Sequence, residues 1–116
     1  MNNNVTRLFN IHDEITRLTA ATPKTLPTRM VKLTSEVGEL AGAIDIAEGN
    51  AGTKYRNAVN PILDVLEEAI DVDLVGKSLI IQLMQDHGIT LDQVLEMYER
   101  KLAKWNQVLE LDKVAQ

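Results

Sequence analysis

The sequence contains no cysteine, which removes disulfides, thiolate metal sites and cysteine nucleophiles together and accords with a reducing cytosol. Aromatic residues are only 3% of the chain against 45% hydrophobic residues in all. Any core must therefore come from Leu, Ile, Val, Ala and Met, a mixture that favours helices over strands. No apolar run approaches the roughly 20 residues that span a bilayer, and the opening MNNNVTRLF lacks the basic start and long apolar segment of a secretory signal. The expectation is a cytoplasmic protein with no membrane partner. Dense Lys/Arg blocks are missing too, and with a net charge of −5 a nucleic-acid polymer is not an expected partner. A single nucleotide stays compatible with this charge when a divalent cation bridges its phosphates to carboxylates. At 116 residues, 1–116 is read as one domain.

Proline is scarce, at three residues, and each one punctuates the chain. Val5, Leu8, Phe9, Ile15 and Leu18, with His12 at the intervening position, have the spacing of one buried helix face. His12 on such a stripe is read as a packed histidine in preference to a ligand. TAATPKTLPT, with Pro23 and Pro27, then reads as a loop. A second helix is expected from near Pro27 to about Glu48, with Leu33, Val37, Leu40, Ile44 and Ala47 as its stripe. Gly38 and Gly42 inside it point either to close approach of a backbone or ligand, or to plain tolerance of glycine. EGNAGTKYRNAVN is a polar connection that carries Lys54, Tyr55 and Arg56. Asn60 and Pro61 read as an N-cap and first helical residue, opening a third helix that runs to about Asp86 and stops at His87-Gly88. Its second half, LVGKSLIIQLM, is apolar enough for the centre of a bundle or an oligomer interface. Thr90 and Gln93 resemble a capping box for a fourth helix bearing Leu91, Val94, Leu95, Tyr98, Leu102, Trp105 and Leu109. The fold class is all-α with four helices.

Within KLTSEVGELAGAI, Glu36 and Glu39 are three residues apart and share a helix face at the edge of the apolar stripe. In DVLEEAIDVD, Glu68 and Asp71 repeat that spacing. Four convergent carboxylates repel one another and call for a cation. Oxygen donors without cysteine or a suitably spaced histidine select hard Mg²⁺ or Mn²⁺ over Zn²⁺. The competing interpretation is a solvated acidic surface, since a helical chain with 17 acidic residues meets this spacing by chance. A di-iron bundle needs Glu-x-x-His pairs, which neither His12 nor His87 supplies.

The two acidic pairs, in this order and in the contexts KLTSEVGEL and LEEAIDVDL, resemble the MazG-like all-α nucleoside triphosphate pyrophosphohydrolases, kin to dimeric dUTPases and phosphoribosyl-ATP pyrophosphohydrolases. That family carries E-x-x-E and E-x-x-D on two helices that pack together. Val72-Asp73 and Gly76 depart from its usual apolar continuation; pairing of Asp73 with Lys77 or an intersubunit contact would account for that acid. ERKLAKWNQ is similar to the family's last-helix segment that contacts nucleotide or phosphate, with Trp105 altering the spacing. Trp105 is expected in the core, with base stacking as the alternative.

The resemblance implies a four-helix MazG-like bundle assembled as a homodimer or homotetramer. It implies hydrolysis of a (deoxy)nucleoside triphosphate to monophosphate and pyrophosphate, with Mg²⁺ on Glu36, Glu39, Glu68 and Asp71. Lys32, Lys101, Lys104 and Asn106 are the implied substrate contacts, and nucleotide-pool housekeeping the implied role. The alternative is a non-catalytic helical interaction or nucleotide-binding module.

Overall fold

A computed structural model describes residues 3–49 and 60–115. Four α-helices follow in order, with no strand among the described residues: α1 (Asn3–Ala21), α2 (Leu26–Ala47), α3 (Pro61–His87) and α4 (Leu91–Ala115). No helix among these residues is long and apolar enough to cross a membrane. Contacts divide the chain into two units, Met1–Gln82 and Leu83–Gln116.

Local chemistry sets the helix ends. The Thr25 hydroxyl accepts from the Thr28 amide at 3.2 Å, capping α2. Pro27 falls in the first turn, where a missing N–H costs nothing. Asn60 Oδ1 accepts from the Leu63 amide at 3.2 Å ahead of Pro61. Thr90 and Gln93 form the expected reciprocal box, with Gln93 N donating to Thr90 Oγ1 at 3.2 Å and Thr90 N to Gln93 Oε1 at 2.8 Å. Helix α3 ends at Gly88, whose φ of 63° lets the Ile89 amide turn back to the Met84 carbonyl at 3.1 Å. The loop before α2 is shorter than TAATPKTLPT, because α1 continues to Ala21 and only the residues next to Pro23 leave the helix.

In the first unit, α2 and α3 run antiparallel, since Arg29 near the start of α2 bonds Gln82 late in α3. The inner seam of α2 is Leu26, Arg29, Leu33, Glu36, Leu40, Ala43 and Ala47, and that of α3 is Pro61, Val65, Glu68, Val72, Val75, Leu79 and Gln82. Both follow alternating three- and four-residue steps, the seam of paired helices. The expected stripe of α2 is thereby corrected: Val37 and Ile44 are exposed, while Arg29, Glu36 and Ala43, seven apart, are buried. Met30, Val37 and Ile44 repeat one position further on and face away from this seam.

The expected stripe of α1 is also uncovered. Only Ile15 of that set is buried, Thr19 joins it, and Val5, Leu8, Phe9, His12 and Leu18 are exposed. In the second unit α4 buries no residue, and Trp105 is 71% exposed, so it is not a core residue of this chain. Asp73 pairs with Lys77 one turn on, which accounts for an acid in that position. The connection bearing Lys54, Tyr55 and Arg56 lies outside the described residues.

Candidate metal centre

Glu36 belongs to the α2 seam and is only 5% exposed, deeper than the edge position expected for it. Glu68 occupies the matching seam of α3 and is half-buried, while Glu39, one turn along α2, is exposed. One carboxylate oxygen from each of the three falls within 4.8 Å of the others. Neighbouring oxygens on one octahedral Mg²⁺ stand about 3 Å apart, so an ion would draw these three oxygens together from a spacing of up to 4.8 Å.

Lys32 Nζ lies 2.7 Å from Glu36 Oε1, one turn back on α2. That single cation does not complete the cluster. Among the described residues, Glu36 Oε2 and Glu68 Oε2 are both buried with no hydrogen-bond partner. A buried acceptor left unpaired is costly, and a cation or a hydrogen-bond donor is what such oxygens call for.

The electrostatics agree. The hydrogen bond from Lys32 holds Glu36 below the ordinary glutamate range, burial opposes it, and the lysine charge adds to the lowering. Burial pushes Glu68 above that range, and the negative charges of Glu39, Asp71 and Glu36 push the same way. Lys32 is raised in turn, chiefly by Glu36. Three hard oxygens without nitrogen or sulfur donors suit Mg²⁺ or Mn²⁺.

Of the four predicted carboxylates, Asp71 does not join the convergent trio. It is exposed and acts on Glu68 and Lys32 through its charge. Lys101, Lys104 and Asn106 are exposed residues of α4, in the second unit. Beside the trio, Gly42, Ala43, Ile46 and Pro61 wall a cavity of about 350 Å³ edged by Glu39, Asp64, Glu67 and Glu68. That volume is at the small end of ligand pockets. Among the described residues, a Cβ at Gly38 or Gly42 would meet nothing within 4 Å, so no described backbone approaches either glycine closely.

Sequence reasoning missed Arg29, which is 7% exposed. Its guanidinium donates through Nε to Gln82 Oε1, through Nη1 to Ser78 Oγ at 2.8 Å, and through Nη2 to the carbonyls of Thr19 at 3.3 Å and Thr22 at 3.0 Å. It thereby ties α1, α2 and α3 together and occupies the electronegative end of α1. The signal was present in the seven-residue spacing of Arg29, Glu36 and Ala43.

Comparison with protein-family models, with characterised proteins and with solved structures gives no match to this chain.

Proposed function

We propose that the chain is a Mg²⁺-dependent nucleoside triphosphate pyrophosphohydrolase, cleaving a (deoxy)nucleoside triphosphate to its monophosphate and pyrophosphate. The observation that carries this reading is the convergence of Glu36, Glu39 and Glu68 with two buried, unpartnered carboxylate oxygens. Water attacks the α-phosphorus, the bond from that phosphorus to the α,β-bridging oxygen breaks, and pyrophosphate leaves with the electron pair. A bound Mg²⁺ supplies Lewis acidity to the phosphate oxygens and to water.

The chain's own residues do the rest. Glu36, Glu39 and Glu68 hold the ion, and Asp71 extends the negative field that attracts it. Lys32 keeps Glu36 ionised and directs a positive charge to the triphosphate. Lys101, Lys104 and Asn106 are proposed substrate contacts from α4. The cavity by Gly42 and Ile46 has the size and partly apolar walls for the nucleoside end.

The working form is a homodimer or homotetramer in the cytoplasm. Met30, Val37 and Ile44 on α2 and Leu66, Ile70 and Leu74 on α3 form exposed apolar rows that a second copy would cover. The same rows favour the alternative, a non-catalytic interaction module. Pyrophosphate release from a panel of nucleoside triphosphates, with and without Mg²⁺, separates the two. No turnover by the wild type, or undiminished turnover by Glu39→Gln and Glu68→Gln, sinks the enzyme reading.

A further inference from the structure

A second cavity, about 170 Å³, lies on the other side of Glu36 from the first, lined by Lys24, Arg29, Lys32, Leu74, Val75 and Ser78. It has room for several water molecules, each taking about 30 Å³. In a chain of net charge −5, three basic residues line this cavity, and no acidic residue lines it among the described residues. Lys32 is the one paired with an acid, Glu36.

The charge of Arg29 is buried, and it has no acidic partner among the described residues. Its bonds go to a neutral amide, a hydroxyl and two carbonyls, which use four of its five N–H groups. One Nη1 proton is left. Ser78 cannot supply another donor to the cavity. Thr19 Oγ1 donates to the Ile15 carbonyl at 2.7 Å, so at the 2.9 Å contact between the two hydroxyls Ser78 is the donor. Ser78 therefore receives from Arg29 and gives to Thr19, and its part is to hold the guanidinium in place. Gln82 fixes the same corner, donating through Nε2 to the Lys24 carbonyl at 2.7 Å.

We infer that the Lys24–Arg29–Lys32 cavity is an oxyanion subsite that takes the distal phosphates of the substrate, and hence the leaving pyrophosphate. The identity of the ligand rests on the pyrophosphohydrolase reading; the anion site itself rests on the cations. Lys32 touches both the cavity and Glu36, and Arg29 lies two helical turns, about 10 Å, from Glu36 along α2. A triphosphate reaching from the carboxylates into this cavity leaves the nucleoside on the Ile46 and Pro61 side. The substrate then lies along the α2–α3 groove in one direction only.

The test is titration of ¹⁵N-labelled full-length chain with inorganic pyrophosphate in excess chelator, followed by amide shifts. The expected result is saturable shifts at Lys24–Arg29 and Val75–Ser78, with Lys24→Gln weakening binding at least tenfold while helicity by circular dichroism is unchanged. Lys24 is exposed, so this variant avoids the unfolding risk of altering Arg29. No shift at these amides, or equal affinity in Lys24→Gln, overturns the inference. Pyrophosphate that binds only with Mg²⁺, and at Glu36–Glu39, also overturns it while leaving the metal centre standing. Chelator-resistant binding at Lys24 in a chain without turnover does the reverse: it keeps the anion site and removes the enzyme reading.

Discussion

Replacing Arg29 by methionine removes the guanidinium that joins the three helices of the first unit and leaves its acceptors behind. Thr19 and Gln82 are both buried, so the Thr19 carbonyl and Gln82 Oε1 lose their donor where water has little access. Ser78 is half-buried and Thr22 exposed, so these two rehydrate more readily. With each orphaned buried acceptor costing about 1–3 kcal/mol, the loss is about 4 kcal/mol, in line with removing one member of a buried polar pair. That is a large share of the roughly 5–15 kcal/mol available to a domain, and it lowers Tm by about 15 °C at this chain length. Urea unfolding at fixed protomer concentration measures it, because association would otherwise move the midpoint. Arg29→Lys keeps the charge without the planar fork and should recover less than half of the loss. The double variant Arg29→Met with Gln82→Leu removes donor and acceptor together and should be less damaged than the sum of the single changes. A loss below about 1 kcal/mol in Arg29→Met, or strict additivity in the double variant, would refute the account of Arg29 as the buried tie.

Without divalent ions, Glu68 and Glu36 make opposite contributions to the pH dependence of stability. Glu68 is raised above its ordinary 4.5 by burial and by neighbouring acids, so the folded state holds its proton more tightly. Its contribution is present below that value and is lost as pH rises through the raised folded value. Glu36 is lowered by Lys32, so its contribution is present above 4.5 and is lost as pH falls through the depressed value. Glu68→Gln should therefore raise the urea midpoint at pH 7.5 in chelator and remove Mg²⁺-induced stabilisation; an unchanged midpoint with intact Mg²⁺ response counts against the cluster. Asn60→Ala removes the cap of α3 and should cost about 1 kcal/mol in urea unfolding; no change would mean the bond to Leu63 N carries nothing. Ile70→Glu, on the exposed row of α3, should shift light-scattering mass towards the monomer, whereas an unaltered oligomer would clear that row of an interface role.

Helix ends were legible in the sequence because they depend on groups a few residues apart. Asn60 reaches Leu63, and Thr90 and Gln93 reach each other within one turn, whereas Thr25, which caps α2 through Thr28, fell inside the expected loop. The paired spacing of Glu36 with Glu39 and of Glu68 with Asp71 is likewise a property of a single helix. What a single helix does not contain is the identity of the face that another helix covers. Val37 fits an apolar stripe as well as its neighbours do, yet Glu36 is the residue enclosed, because the seam that α3 covers runs through Arg29, Glu36 and Ala43. Arg29 carried no reading in the sequence, because its partner Gln82 lies 53 positions away. By itself the sequence determined four helices, the N-terminal caps of α3 and α4, and a supply of acids at helical spacing. Only the tertiary structure decided that three of those acids converge with two buried oxygens unpaired while Asp71 stays outside the trio. The physical reason is that burial and like-charge repulsion arise between helices, at distances fixed by the packing of their seams.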